Sequence, residues 1–529
     1  MSVLAGLKPE RVFYYFEELC RIPHGSGNTK EVSDYLVQFA RDHELSWYQD
    51  ASNNVIIRRP ASKGCELAPT VILQGHCDMV CEKKPGSSHD FTKDGLELHI
   101  DGDEIYARDT TLGGDDGIAV AYMLAVLESD DLQLPAIEAL ITTDEEIGLL
   151  GAAALNGNEL KGRTLLNMDS EEEGILTVSC AGGMTAMMDL PVRRSEVMGE
   201  QMEVTISGLA GGHSGTEIHK NRANSNILAG RFLYELAGKM DYALIELEGG
   251  LKDNAIPRTT RMLLAIDGGE KEILKEEASR ITENLRREYS GTDDGITVTV
   301  EKTGEGAAPA LHPVSLQKTV FFLMNLPNGV QKMSGQIPGL VETSLNLGIL
   351  KLEPDHLHAC ASVRSSVGSA KEALSDKLEY LIGFLGGEFH VEGAYPAWEY
   401  KEDSALRDLM VAEYEAMYGQ KPAVEAIHAG LECGLFYEKL SGLDCVSFGP
   451  NMKAIHTTEE RLSISSVERT YQYLCRVLEQ LSTVCNLFLS KSLKMRFNRE
   501  NSRLIFSSFV KSFFVAINIT PFSGQPTPP

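Results

Sequence analysis

Helical and strand-like hydrophobic patterns alternate along the first third of the chain. Apolar residues recur at helical spacing over residues 9–21, 29–43 and 118–128. Runs that fit strands or hairpins lie between and after them, at residues 54–58, 71–80, 96–107, 135–143 and 164–168. Strands that alternate with helices are typical of an α/β domain with a largely parallel central sheet.

From about residue 182 the pattern changes, and residues 187–390 are predicted to form a separate, inserted α+β domain. Its first half has the order strand, helix, strand, at residues 202–207, 224–237 and 261–266. A similar order recurs at residues 296–301, 315–326, 341–347 and 358–364, which suggests two repeated halves. A helix at 405–418, a strand at 445–448 and a final helix at 466–481 follow the insertion.

The predicted organisation therefore has four parts. Residues 1–186 form the first part of the α/β domain, 187–390 the inserted domain, and 391–485 the second part of the α/β domain. Residues 486–529 form an atypical tail that is basic and rich in phenylalanine. Its apolar run at 504–519 is short and interrupted by Lys511, so a membrane anchor is not expected.

Composition narrows the class of protein. A chain of 529 residues is expected to form at least two domains. Its net charge of -27 argues against nucleic acid or an anionic membrane as a partner, since both bind basic surfaces. The ten cysteines contain no CxxC pair, and the chain begins without a signal-like segment. We expect a cytoplasmic protein with reduced thiols.

Polar residues follow several of the predicted strands. Strand alternation places His76 and Asp78 on one face and Cys77 on the other. Other candidate strand-end or loop residues are Asp115, Glu145, Glu146, Asp169 and the distant His456. Two imidazoles and several carboxylates suit zinc, manganese or cobalt, and such a set can hold two ions about 3.5–4 Å apart.

Each of these residues also has an ordinary structural interpretation. Asp115 and Asp116 could cap the helix that follows them, and Glu145 with Glu146 could form a solvated turn. Asp169 begins an acidic run, and His456 could be a loop histidine with its hydrogen bonds satisfied. Their joint occurrence at predicted strand ends favours a metal site over these separate explanations.

Seven short motifs occur in the order found in one enzyme family: GHCDMV, TLGGDDGIA, TTDEEIG, NMDSEE, GGHSG, HAGLECG and IHTTEE. Together they resemble the co-catalytic di-zinc peptidases related to aminoacylase and carnosinase, and within them the branch of aminoacyl-histidine dipeptidases. The resemblance extends over residues 5–482. It implies a zinc-peptidase-like catalytic domain with a mostly parallel sheet flanked by helices, and an inserted α+β lid domain.

The resemblance also implies a role for each metal-site residue. His76 and Asp169 correspond to ligands of one ion, and Asp115 corresponds to the carboxylate that bridges two ions. Glu146 and His456 correspond to the ligands of the second ion. The expected cofactors are therefore two divalent metal ions, with Zn²⁺ favoured and Mn²⁺ or Co²⁺ as alternatives.

Two further carboxylates have expected catalytic roles. Glu145 matches the general base, which takes a proton from the attacking water and returns it to the leaving amine. Asp78 matches the carboxylate that orients the imidazole of His76. Asp116 matches no ligand position, and helix capping is the expected role there.

Four residues match positions that contact the substrate. By resemblance, His213 donates to the oxyanion when the lid closes, and Asn254 is a further lid contact. Arg364 would bind the substrate's C-terminal carboxylate and Glu432 its free amino group. A structural loop histidine and an ordinary edge-strand arginine are the alternatives for His213 and Arg364.

The predicted function is metal-dependent hydrolysis of dipeptides with free termini, including Xaa-His dipeptides, with Glu145 as general base. An aminoacylase or tripeptidase on the same scaffold is the enzymatic alternative. A non-catalytic binding protein is disfavoured because every expected ligand and the base are present. The expected partner is a small peptide, and a homodimer through the lid is compatible with the sequence.

Overall fold

The computed structural model describes residues 2–497, with side chains described up to Thr483. The tail predicted from residue 486 lies outside the described residues beyond Phe497.

The helices of the described chain are α1 Glu10–Cys20, α2 Lys30–Asp42, α3 Gly114–Glu128, α4 Leu150–Ala154, α5 Ser225–Ala237, α6 Lys271–Glu288, α7 Pro313–Asn325, α8 Gly368–Phe384, α9 Ala405–Tyr418, α10 Glu432–Lys439 and α11 Ile464–Phe497. The strands are β1 Ser46–Gln49, β2 Val55–Arg59, β3 Val71–His76, β4 Leu98–Asp101, β5 Glu104–Ala107, β6 Ile137–Thr142, β7 Thr164–Asn167, β8 Ile175–Cys180, β9 Gly182–Pro191, β10 Arg194–Ser207, β11 Gly212–His213, β12 Ala243–Gly249, β13 Ala255–Ile256, β14 Thr260–Ile266, β15 Thr297–Leu311, β16 Gly329–Met333, β17 Val341–Leu352, β18 His356–Ser365, β19 Glu388–Tyr395, β20 Ala423–Ile427, β21 Asp444–Ser447, β22 Met452–Lys453 and β23 Arg461–Ser463.

The chain divides into two compact units. Among the described residues, unit 1 contains residues 2–174, Ser404–Pro422 and residues 439–497, and unit 2 contains Ile175–Asp403 and Ala423–Glu438. Unit 2 thus begins before, and ends after, the segment predicted as the inserted domain. The earlier start has a physical reason, because β9 hydrogen-bonds to β18 and β19 within the sheet of unit 2.

The sheet of unit 1 has a parallel centre. The strand order is β1-β2-β6-β3-β7-β21, and β3 pairs in parallel with both β6 and β7. β7 is also parallel to β21, whereas β1 and β2 add an antiparallel edge. The carboxyl ends of β3, β6 and β7 therefore meet at one edge. The predicted ligand His76 ends β3, and the predicted ligands Glu146 and Asp169 lie in the loops after β6 and β7.

Helix α3 carries Asp115 in its first turn, where the backbone is non-helical. The sequence predicted an amphipathic helix at 118–128, but the structure buries α3 on every side from Gly114 to Leu127. Its sequence explains this, because the segment from Ile118 to Leu127 contains no charged residue. The helix packs so closely on β3 that a Cβ at Gly75 would lie 2.8 Å from the Ala119 side chain.

Unit 2 contains one mainly antiparallel sheet, with the order β15-β10-β14-β12-β17-β18-β9-β19. Two sets of elements build it with the same connectivity. One runs β10-α5-β12-β14-α6-β15, and the other runs β9, then α7-β17-β18-α8-β19. In each set the first strand lies between the third and the fourth, and the two sets meet where β12 pairs with β17.

The boundary between the two sets differs from the predicted one. The strand expected at 296–301 to begin the second half is part of β15, which pairs with β10 and closes the first set. The corresponding first strand of the second set is β9, so the first set is inserted after β9 in the chain. Helices α5 to α8 contribute residues to one apolar core with the sheet.

None of the helices within the described residues has an apolar stretch long enough to cross a membrane.

Candidate metal centre and substrate-binding residues

Asp115 lies between two histidines in unit 1. Its Oδ1 is 3.2 Å from Nε2 of His76, and its Oδ2 is 3.1 Å from Nε2 of His456. A carboxylate whose two oxygens face different imidazoles has the geometry to contact two ions, one through each oxygen. Each ion would also contact one of the histidines.

Three further carboxylates complete this group. Nε2 of His456 is 3.0 Å from Oε1 of Glu146, and Nε2 of His76 is 3.8 Å from Oδ1 of Asp169. Glu145 also belongs here, because one potential ligand atom each from His76, Glu145 and Glu146 lies within 4.8 Å of the others. We call these six residues, together with Asp78, the unit 1 cluster: His76, Asp78, Asp115, Glu145, Glu146, Asp169 and His456.

Asp78 connects the histidine to the loop after β6. Nδ1 of His76 is 3.0 Å from the backbone carbonyl of Asp78 and 3.4 Å from Oδ1 of its carboxylate, and Nε2 of His76 remains directed at Asp115. The same carboxylate accepts the Ser26 hydroxyl at 2.8 Å and the backbone N–H of Glu145 at 3.1 Å. Asp78 therefore orients the imidazole and also positions the backbone of the predicted general base.

Asp116 is completely buried beside the cluster. Its Oδ2 accepts the backbone N–H of His76 at 3.2 Å, a contact that the capping interpretation did not include. A Cβ at Gly75 would lie 2.3 Å from this same oxygen, so glycine is required there. The backbone angles of Asp115 and Asp116 are non-helical, and the regular part of α3 follows them.

Glu460 is a functional candidate that the sequence analysis missed. It is 3% exposed, and its carboxylate accepts the backbone N–H groups of Leu112, Gly113 and Gly114 at 2.7, 3.3 and 2.9 Å. It thereby fixes the loop immediately before Asp115 and ties it to the segment that carries His456. The only sequence signal is its place as the last residue of the IHTTEE motif.

The electrostatics of the unit 1 cluster favour bound cations. Burial alone would raise the pKa of Asp115, but hydrogen bonds with His456 and His76 lower it. The hydrogen bonds with Asp115 and Glu146 raise the pKa of His456 to about 10. Burial, together with the charges of Asp116 and Asp115, raises the pKa of Asp169 well above its usual value.

Within the described residues, His76 and His456 are the ion-pair partners of the carboxylates of Asp78, Asp115, Glu146 and Asp169. In the metal-free protein, protons on these imidazoles therefore supply the positive charge. Divalent ions would displace these protons and balance more of the carboxylate charge, so the donor set fits two metal ions.

In unit 2, His213 lies on a short strand, and Asn254 lies in the turn just before the partner strand. His213, in β11, pairs with Ala255 of β13, and the N–H of the next residue, Ser214, donates to the Asn254 carbonyl at 2.8 Å. The Asn346 amide of β17 donates to the carbonyl of Ala255 at 2.9 Å and so ties this segment to the main sheet.

The protonation state of His213 follows from its contacts. Its Nδ1 accepts the backbone N–H groups of Gly215 and Thr216 at 3.2 and 3.1 Å. An accepting Nδ1 requires the neutral tautomer with its proton on Nε2. Burial and the charge of Arg364 lower the pKa of His213, which also favours the neutral form. His213 therefore offers one N–H donor from Nε2.

Arg364 is buried without a carboxylate at salt-bridge distance among the described residues. It is 9% exposed, its Nη1 donates to the Tyr395 hydroxyl at 2.9 Å, and its Nε has no hydrogen-bond partner. Directly opposite Arg364 on β17 is Ser344, whose hydroxyl is 2.7 Å from Nε2 of His428. We call His213, Ser344, Arg364, Tyr395 and His428 the unit 2 cluster.

His428 and Tyr395 were not predicted as site residues. Burial and the charge of Arg364 lower the pKa of His428 to about 3, so this imidazole is neutral. The buried guanidinium thus faces neutral partners, which is the arrangement expected of a site for an anionic group. His428 begins the HAGLECG motif, which was the available signal for it.

Glu432, the fourth predicted substrate residue, is completely buried and is the first residue of α10. The same motif carries Glu432 and His428, so one loop links the unit 2 cluster to this helix. Of the two cysteines near Asp78, Cys77 is buried and Cys81 is exposed. Although Cys81 is exposed as a residue, partial burial of its thiol and the charges of Asp78 and Glu82 raise the pKa of this thiol to about 11.

Comparison with known proteins adds the family. Residues 72–480 match the sequence profile of peptidase family M20/M25/M40. The chain is 35% identical over 483 residues to the cytosol non-specific dipeptidase of Escherichia coli (strain K12), covering 91% of this chain and 99% of that protein. The chain belongs to peptidase family M20/M25/M40. It is thus a metallopeptidase, and the enzyme class predicted from the motifs is confirmed.

Two solved structures agree with this family. The crystal structure of aminoacylhistidine dipeptidase from Vibrio alginolyticus matches with a TM-score of 0.85 and 36% identity, over 90% of this chain and 98% of that one. An aminopeptidase from Bacillus cereus matches with a TM-score of 0.52 and 17% identity, over 90% and 99%. The second match concerns the fold alone, and together they confirm the predicted M20-type α/β fold.

Proposed function

We propose that this protein is a cytoplasmic metal-dependent dipeptidase that hydrolyses dipeptides with free termini, including Xaa-His dipeptides. The observation that carries the proposal is Asp115, whose two carboxylate oxygens face His76 and His456 in a site rich in further carboxylates. The 35% identity to a cytosol non-specific dipeptidase and the similarity to an aminoacylhistidine dipeptidase support the substrate class.

The residues that would hold two divalent ions are those assigned from the motifs. His76 and Asp169 would bind one ion, Glu146 and His456 the other, and Asp115 would bridge them. Zn²⁺ suits this mixed set of imidazoles and carboxylates best, although Mn²⁺ or Co²⁺ could bind the same donors. When bound, the ions would supply Lewis-acid activation of water and of the scissile carbonyl.

Glu145 would act as the general base. Its carboxylate takes a proton from the attacking water and transfers that proton to the nitrogen of the leaving amine. Asp78 supports this step, because it accepts the backbone N–H of Glu145 while it orients His76. One side chain would thus position both the proton-transfer group and a metal ligand.

The unit 2 residues would recognise the two ends and the carbonyl of the substrate. Arg364, buried with no described carboxylate partner, would bind the C-terminal carboxylate through charge-assisted hydrogen bonds. The Nε2–H of His213 would donate to the carbonyl oxygen as negative charge develops on it. Asn254 would contact the substrate beside His213, and Glu432 would bind its free amino group.

An aminoacylase or a tripeptidase remains the enzymatic alternative, since the same fold and metal site serve several substrates. The dipeptidase assignment requires a free amino group on the substrate, whereas an aminoacylase requires it to be acylated. A homodimer through the predicted lid stays a prediction.

The test combines metal content with turnover. Replacing Glu145 by Gln should leave the number of bound ions per chain at the wild-type value and lower kcat on dipeptides by roughly a hundred- to ten-thousandfold. Glu172→Gln, in the acidic run after Asp169, is the matched control and should keep wild-type turnover. Normal dipeptide hydrolysis by the Glu145 variant would refute the mechanism, and faster hydrolysis of N-acetyl amino acids than of dipeptides would refute the substrate class.

A further inference from the structure

Two histidines of unit 2 lie beside an aspartate, outside the clusters described above. His356 and His358 are two residues apart on β18, so they project from the same face of the strand. The residues between and after them, Leu357 and Ala359, point into the apolar core. Asp189 of β9 is directly opposite His358 in the antiparallel register, so all three side chains lie on one face.

The three side chains converge on one carboxylate oxygen. Oδ1 of Asp189 is 2.7 Å from Nδ1 of His358 and 3.7 Å from Nε2 of His356. One potential ligand atom from each residue lies within 4.8 Å of the other two. Two imidazole nitrogens and a carboxylate oxygen are thus close enough for a single ion to contact all three.

A second carboxylate orients one of the histidines. Nδ1 of His356 is 2.8 Å from Oδ1 of Asp355, its neighbour in the chain. When Nδ1 carries the proton and donates it in a hydrogen bond to Asp355, the lone pair of the imidazole is on Nε2, the nitrogen that faces Asp189. A histidine that donates one ring N–H to a carboxylate and presents the other nitrogen is the usual arrangement at protein metal sites.

The cluster is accessible to ions from solution. The side chains of His356, His358 and Asp189 are 36%, 31% and 42% exposed, so each is partly covered by neighbouring residues and still open to solvent. Imidazole nitrogens select transition metals such as Zn²⁺, Ni²⁺ or Cu²⁺ over Mg²⁺ or Ca²⁺. Three protein ligands would leave coordination positions for water.

We propose that His356, His358 and Asp189 form an accessory binding site for a divalent transition-metal ion, with Asp355 orienting His356. The site is built from residues that take no part in the proposed hydrolysis. The alternative is a surface hydrogen-bond cluster in which a proton on each imidazole satisfies Asp189. The two interpretations differ in what happens when zinc is added.

The experiment is a zinc titration of the untagged full-length protein after chelation, in competition with a chromophoric chelator. The double variant H356A/H358A should bind one ion fewer per chain than the wild type. Asp355→Asn should keep the ion but bind it about ten- to a hundredfold more weakly, because the imidazole loses its orienting carboxylate. The wild type should also be retained on immobilised Ni²⁺, and the double variant should elute early.

His390→Ala is the matched control, because His390 is exposed on the neighbouring strand β19 and belongs to no metal-ligand group among the described residues. It should bind as many zinc ions as the wild type. Equal zinc binding by the wild type and the double variant would refute the accessory site. So would loss of dipeptide hydrolysis together with the ion, because that result would place the missing ion in the unit 1 cluster. Asp189→Asn provides a second test if the double variant folds poorly.

Discussion

In unit 1, the candidate site gathers carboxylates around two imidazoles, whereas in unit 2 it gathers neutral groups around a buried arginine. In the unit 1 cluster, hydrogen bonds to carboxylates raise the pKa of His456 and, against the lowering effect of burial, that of His76. In the unit 2 cluster, the neutral His428 and the Tyr395 hydroxyl surround Arg364. Each cluster therefore carries uncompensated charge. The unit 1 cluster has an excess of negative charge, and the unit 2 cluster has an excess of positive charge.

We propose that this contrast reflects what each cluster binds, cations in unit 1 and an anion in unit 2. A buried excess of carboxylates is costly unless cations compensate it, and a buried guanidinium is costly unless an anion does. A dipeptide with a free C-terminus carries the anion, and the proposed metal ions are the cations. Each of the following substitutions should affect one cluster while leaving the other intact.

The largest effect should come from Arg364→Met. Removing one partner of a buried charge pair costs about 2–5 kcal/mol, or roughly a thirtyfold to several-thousandfold loss of kcat/KM for dipeptides. Metal content should not change, because the variant leaves the unit 1 cluster intact. Steady-state kinetics on a dipeptide and on its C-terminal amide measure the effect.

The amide already lacks the carboxylate, so the wild type and the Arg364 variant should hydrolyse it at similar low rates. Arg261→Met is the matched control, since Arg261 lies in β14 of unit 2 and pairs with Glu203 and Glu246. An equal loss on the dipeptide and on the amide would contradict carboxylate recognition by Arg364.

A smaller effect is expected from Glu460→Gln. The amide offers one acceptor oxygen where the carboxylate accepts three backbone N–H groups, so the loop before Asp115 should loosen. Affinity for the ion that Glu146 and His456 would hold should fall about ten- to a hundredfold. Competition with a chelator measures this affinity directly.

Glu459→Gln is the control for that variant, because Glu459 is the adjacent residue and forms an exposed ion pair with Lys84. Its metal affinity should equal that of the wild type. If Glu460→Gln also bound metal normally, the loop contacts would have no part in positioning Asp115.

The smallest effect concerns pH and His428. The unfolded chain protonates this imidazole near pH 6.5, whereas burial and Arg364 lower its pKa in the folded protein to about 3. Between these values the unfolded state binds more protons, so the stability from neutral His428 is complete above about pH 6.5 and falls as the pH decreases. The slope is about 1.4 kcal/mol per pH unit.

His428→Gln should remove this contribution and make denaturant unfolding between pH 4 and 6 less steeply dependent on pH. The matched substitution His390→Gln changes an exposed histidine and should keep the wild-type slope. Identical slopes for wild type and His428→Gln would mean that His428 is not held neutral in the fold.

The two clusters also differ in how far the sequence predicted them. The strand ends of unit 1 could be predicted because β3, β6 and β7 are short apolar runs, and parallel strands bring their carboxyl ends to one edge. His456 needed the family motif, since it lies far along the chain in a loop. Glu460 was missed because its partners are backbone groups about 350 residues away, which no local pattern reveals.

In unit 2 the local patterns were less informative. β10 and β15 are much longer than predicted because they pair along their whole length, although Gly306 and Pro309 weaken the strand signal there. Arg364 was found by resemblance, but its neighbours Ser344 and His428 meet only through the register of β17 and β18 and the loop before α10. Cross-strand neighbours of this kind depend on strand pairing, which local sequence patterns do not reveal.

The central claim is that the unit 1 cluster binds two divalent ions through a shared Asp115. The most direct measurement is the number of zinc ions bound per chain by H356A/H358A, which lacks the proposed accessory site, with and without Asp115→Asn. We expect about two ions with Asp115 present and fewer than two in the Asp115 variant. A single ion in the parent, or two ions bound equally tightly after Asp115→Asn, would contradict the account.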